Sequence, residues 1–72
     1  MMIYSTEEYK GFGKHNYYHY EYRVEGGEVI KYKCSRQKFF DGDENVWQED
    51  EHIVESWSIN DPNMPEWLRK HL

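Results

Sequence analysis

Tyr17-Tyr18-His19-Tyr20-Glu21-Tyr22-Arg23-Val24 is followed by Glu25-Gly26-Gly27-Glu28 and then by Val29-Ile30-Lys31-Tyr32-Lys33-Cys34-Ser35-Arg36-Gln37-Lys38-Phe39. In the first run Tyr18, Tyr20, Tyr22 and Val24 recur at every second position, with His19, Glu21 and Arg23 between them. Tyr17 joins the polar set. Side chains of a strand alternate between its two faces, so this spacing predicts a strand with a tyrosine-rich inner face and a polar outer one. A Gly-Gly pair between two such runs predicts an antiparallel hairpin.

Two registers are open to that hairpin. A two-residue Gly26-Gly27 loop pairs Tyr22 with Lys31 and puts Ile30, Tyr32 and Cys34 on the face of His19, Glu21 and Arg23. That divides the apolar residues between two faces, which is costly where one face is buried. A three-residue Glu25-Gly26-Gly27 loop, with Gly27 left-handed in a bulge, sets Tyr22 against Ile30, Tyr20 against Tyr32 and Tyr18 against Cys34. It also brings Glu21 to Lys31 on the outer face. Cross-strand pairing favours the second register, and Cys34 is then expected on the inner face as a structural thiol.

The rest of the chain extends this core. Met2 to Ser5 suits an edge strand, and residues 10–14 (Lys-Gly-Phe-Gly-Lys) read as a loop. Asp41-Gly42-Asp43-Glu44-Asn45 reads as a turn. From Val46 to Ile59 the pattern fits either a helical face (Val46, Trp47, Ile53, Val54, Trp57) or a strand in which Ile53, Trp57 and Ile59 share a face. A hairpin rarely stands alone in water, so a third strand is the better expectation. Pro65 suits the first turn of a short helix, with Asn63 or Met64 near its cap, Glu66 at its start and Arg69, Lys70 and His71 at its end. Trp67, Leu68 and Leu72 would dock on the sheet. The expected fold is mainly β (α+β), a small antiparallel sheet of three or four strands with a short C-terminal helix, as one domain over residues 1–72.

Composition supports this. The 72 residues hold no alanine, and 13 aromatics outnumber the 10 isoleucines, valines and leucines. That bias suits strands over helices. A chain of this length buries only about 60% of its unfolded surface, so its core is thin, and homodimerisation is one way to complete it. The longest apolar runs fall far short of a membrane span. The first residues lack the basic start and apolar stretch of a signal peptide, and a single Cys34 makes no internal disulfide. A cytoplasmic location is expected.

The net charge of −5 disfavours binding to phosphate backbones. Six acids lie between Asp41 and Glu51; outside that run nine basic residues face eight acidic ones. One reading is a solubilising loop. The sharper one is a contact surface for a protein partner, built from Asp41, Asp43, Glu44, Glu49, Asp50 and Glu51 with Trp47, since a large aromatic beside charge is a common hot-spot composition. Asp41, Asp43 and Asn45 match the opening of a calcium-binding EF-hand loop, but Val46 and His52 stand where glycine and glutamate are required. The histidines lack metal-ligand spacing: His15 and His19, four apart along a strand, lie about 13 Å from each other. No metal site, cofactor or catalytic motif is expected, and the function predicted is a non-catalytic protein-binding module, an adaptor or inhibitor. The alternatives are a structural homo-oligomer subunit, and a single-stranded nucleic-acid binder that stacks bases on Tyr17 beside Lys31, Lys33 and Arg36.

Overall fold

The computed structural model describes the chain apart from Lys14, Gly42 and Asp43, and apart from the side chains of Phe40, Asp41, Glu44 and Asn45. Among the described residues, five strands form one antiparallel sheet: β1 (Met2–Ser5), β2 (Tyr9–Lys10), β3 (Asn16–Glu25), β4 (Glu28–Asp41) and β5 (Glu44–Ser58). The order across the sheet is β1-β3-β4-β5, and β2 continues β1's edge of β3. A short helix, α1 (Glu66–Arg69), follows. The mainly β fold stands, with one strand more than expected. The extra one is the two-residue β2, held by pairing of Tyr9 with Tyr18 and Lys10 with Tyr17. Residues 46–58 are strand, not helix.

The hairpin takes the two-residue turn, which corrects the register expected above. Glu25 pairs with Glu28, Val24 with Val29, Arg23 with Ile30, and Tyr22 with Lys31. Gly26 and Gly27 have φ of 56° and 78°. Two successive left-handed residues make the turn whose twist matches that of the strands it joins, and glycine takes that geometry at least cost. The expected penalty for splitting the apolar residues is avoided by the lysines. Lys31 Nζ lies 4.6 Å from the centroid of Tyr20, and Lys33 Nζ 4.8 Å from that of Tyr18. Their aliphatic stems thus cover the tyrosine face while their charges stay hydrated. On the other face the Arg23 guanidinium lies over Tyr32 at 4.2 Å.

Directly opposed residues share a face, so the register defines two surfaces. The first carries Tyr18, Tyr20, Tyr22, Val24, Val29, Lys31, Lys33 and Trp57, and α1 packs on it. Tyr22, Val29, Trp57, Met64 and Leu68 are buried there, with Ile3, Tyr4, Tyr20 and Val24 packed around them. Tyr22 stacks on Trp57 (centroids 6.5 Å apart, 16° between planes), and Trp67 meets Tyr22 edge-on at 5.3 Å. Of the three residues expected to dock, Leu68 is fully buried, Trp67 is half-exposed and meets Tyr4 and Tyr22 in edge-to-face contacts, and Leu72 stays exposed. Pro65 is the residue preceding the helix rather than its first turn. The chain is carried back to the sheet by the amide of Ile59, which donates to the Gly27 carbonyl (3.1 Å), and by Arg69, which donates to the Asp61 carbonyl (2.8 Å).

The second surface, called the open face below, carries Tyr17, His19, Glu21, Arg23, Ile30, Tyr32, Cys34 and Arg36. A bulge in β5 adds to it. Lys31 pairs with Glu55 but Tyr32 pairs with Ile53, so Val54 is an extra residue. Ile53 and Trp57 therefore point to opposite faces rather than sharing one, and Ile53 is well exposed. Because so few residues close the core, Leu68→Ala is expected to cost about 2–5 kcal/mol. Urea unfolding followed by tryptophan fluorescence measures this; a midpoint unchanged from the parent would show that α1 does not seal the sheet.

Candidate functional site

Three strands bring one row of polar side chains together on the open face. His19 of β3 stands opposite Cys34 of β4, and Cys34 stands opposite Glu51 of β5. Glu21, two residues along β3, projects to the same side. His19 Nε2 lies 2.8 Å from Glu21 Oε2, and the Cys34 thiol donates to that same oxygen at 3.5 Å. The thiol also lies 3.9 Å from Glu51 Oε2. Arg23 holds the two carboxylates: it donates to Glu51 through both Nη atoms (3.1 and 2.9 Å) and to Glu21 Oε1 through Nε and Nη2 (3.3 and 3.0 Å). A forked, stacked guanidinium is well suited to such a clamp.

The electrostatics follow from these contacts. The bond with His19, then the Arg23 guanidinium, hold the Glu21 carboxyl below the usual carboxylate range despite partial burial. Arg23 likewise lowers Glu51, and Glu51 and Glu21 in turn raise Arg23. Burial, reinforced by bonding to Glu21, pushes the Cys34 thiol up to about 11. Glu25 accepts a bond from the Tyr32 hydroxyl and raises its pKa. The cluster floors a shallow concavity of about 440 Å³ bordered by Arg36 and Glu49. Cys34 is therefore on the face opposite Tyr18, Tyr20 and Tyr22, not among them, because the turn has two residues rather than three.

The residues expected to bind a partner are divided. Trp47, Glu49 and Glu51 project from the open face, whereas Asp50, opposite Ser35, projects from the covered one. Asp41 and Glu44 are paired at the far end of β4 and β5, and Asp43 lies outside the described residues. Several acids are matched within the sheet, with Glu49 opposite Arg36 and Glu55 opposite Lys31. Opposite charges facing each other across strands favour this register, while Asp50 and Glu51 stand opposite Ser35 and Cys34. Trp47 packs beside Tyr17 (6.3 Å), and Arg36 lies over both rings at 5.0 and 5.3 Å. Arg36 also donates to Glu8 at 2.7 Å, which raises its pKa.

The nucleic-acid candidates separate as well. Tyr17 and Arg36 meet on the open face, while Lys31 and Lys33 stand on the covered face, so the four cannot form one platform. The tyrosines beside those lysines already have a charged amine against their rings, which competes with a stacked base.

Sequence reasoning missed the cluster of His19, Glu21, Cys34 and Glu51. The alternation had placed His19, Glu21 and Arg23 together; only the register kept Cys34 from joining them. Comparison with known protein families, with curated proteins and with solved structures finds no match. Among the described residues no helix is long and apolar enough to cross a membrane.

The raised Cys34 thiol has a measurable consequence. Alkylation by iodoacetamide near pH 8 is expected to run at least tenfold slower in the native chain than in urea, because a half-buried thiol beside a carboxylate resists ionisation. Equal rates would mean that neither burial nor Glu21 protects the sulfur.

Proposed function

We propose that this chain is a non-catalytic protein-binding module whose strand β5 receives an extended, basic segment of a partner protein. The observation that carries this reading is the edge itself. β5 is a terminal strand 15 residues long, and such an edge offers a row of backbone donors and acceptors to an added strand. Along it Val46, Trp47, Ile53 and Val54 are exposed, giving apolar anchors on both sides of the acids.

Charge argues for the chemistry of the partner. Two copies joined antiparallel about Asp50 would bring Glu49, Asp50 and Glu51 of one against the same three residues of the other. Like charges directly opposed across strands are destabilising, so the acids act against self-pairing through this edge. A lysine- or arginine-bearing strand meets no such penalty and gains from complementarity.

Titration of the native chain with an extended lysine-rich peptide, followed by tryptophan fluorescence, tests the reading. Saturable binding that weakens with salt is expected, and Glu49→Lys with Asp50→Lys should weaken it by at least about tenfold, the equivalent of about 1.4 kcal/mol. Binding unaffected by the double substitution would overturn the proposal. Light scattering on the free chain should give a monomer; a stable dimer abolished by Ile53→Asp would favour the homo-oligomer instead.

A further inference from the structure

The four-residue cluster on the open face has a chemistry that partner binding through β5 does not use. His19, Glu21 and Cys34 each offer a donor atom, and these atoms all lie within 4.8 Å of one another. Imidazole nitrogen, thiolate sulfur and carboxylate oxygen are the three ligand types of zinc proteins. Tetrahedral zinc, with bonds of about 2.0–2.3 Å, holds its ligand atoms about 3.3–3.8 Å apart. The separations of 2.8 Å from His19 to Glu21 and 3.5 Å from Cys34 to Glu21 bracket the lower part of that range. Small rotations of the side chains would open the cluster enough. We propose that His19, Glu21 and Cys34 form a divalent transition-metal site, with Glu51 beside it and zinc the preferred ion.

Three further features support it. The ligands come from adjacent strands in strict register, so the backbone holds their Cα atoms in place before an ion arrives. Arg23 grips Oε1 of Glu21 and leaves Oε2 turned to His19 and Cys34. That is the role of an outer partner that orients a ligating carboxylate. The charges also balance: a doubly charged ion with Cys34 as thiolate, Glu21 and Glu51 ionised, His19 neutral and Arg23 cationic gives a neutral assembly. Binding releases the thiol proton to solvent, and no oxidation or reduction occurs. A thiolate and an imidazole together select zinc or cobalt over magnesium and calcium, which prefer oxygen alone. A zinc ion here would tie β3 and β4 together across the open face.

The test uses the full chain, reduced and freed of metal with a chelator, then titrated with Co²⁺. Binding at one ion per chain is expected, with the near-ultraviolet absorption of a cobalt–thiolate bond and the intense visible bands of tetrahedral cobalt, both removed by added Zn²⁺. His19→Gln, which keeps Cys34, should raise the dissociation constant by at least the roughly 10–100-fold that loss of even an outer partner costs. His52→Gln, away from the cluster, should leave it unchanged. In the unaltered chain, Zn²⁺ should move the NMR signals of His19 and Cys34 and spare those of His52 and His71. The proposal is overturned if no thiolate band forms, if His19→Gln leaves cobalt affinity intact, or if Zn²⁺ shifts the exposed histidines but not His19 and Cys34.

Discussion

The rest of the structure depends on the backbone of Gly26 and Gly27. Both residues are left-handed, and the tight turn they form sets Val24 against Val29 and Tyr22 against Lys31. One residue more in that loop would carry every side chain of β4 to the other face. Tyr22 and Val29 would no longer share the surface on which Trp57, Met64 and Leu68 close the core. Cys34 would no longer face the side of His19 and Glu21. The buried core and the polar cluster are thus two consequences of one turn.

The same constraint explains how so polar a chain folds. Its core is confined to the turn end of the sheet, where the helix and the loop before it cover the tyrosines. Farther along, cations do the covering. Lys31, Lys33, Arg23 and Arg36 lie against aromatic rings while their charges remain hydrated. Two acids of β5, Glu49 and Glu55, stand opposite Arg36 and Lys31 of β4, so charge is partly balanced across these strands even though the whole chain is acidic. What this leaves is an unpaired edge, β5, and a row of donor atoms bonded to one another on an open sheet face.

Much of this was legible in the residues, and the rest was hidden for identifiable reasons. The alternation from Tyr17 to Val24 gave β3, the Gly-Gly pair gave the hairpin, and Pro65 with Leu68 gave the docking helix. The register was misjudged because apolar side chains were assumed to need one shared face, whereas lysine stems could cover a tyrosine and an arginine could cover Tyr32. The bulge at Val54 has no marker such as glycine, so the separation of Ile53 from Trp57 could not be foreseen. Met64, which with Asn63 is a candidate position near the helix cap, is core because the loop before α1 folds back onto the sheet. The acidic run looked like one surface because a linear sequence does not reveal that Asp50 faces the opposite way from Glu49 and Glu51. His19 and Cys34 are 15 positions apart with no ligand spacing between them, and only their pairing across β3 and β4 unites them.

The pairing of β3 with β4 is therefore the point on which both the core and the cluster stand or fall. Cross-strand proton contacts in a nuclear Overhauser spectrum of the labelled chain read it directly. Contacts placing Tyr22 opposite Lys31 and His19 opposite Cys34 are the expected result. Contacts placing Tyr22 opposite Ile30 and Tyr18 opposite Cys34 would contradict it, and would return Cys34 to the tyrosine face, away from His19 and Glu21.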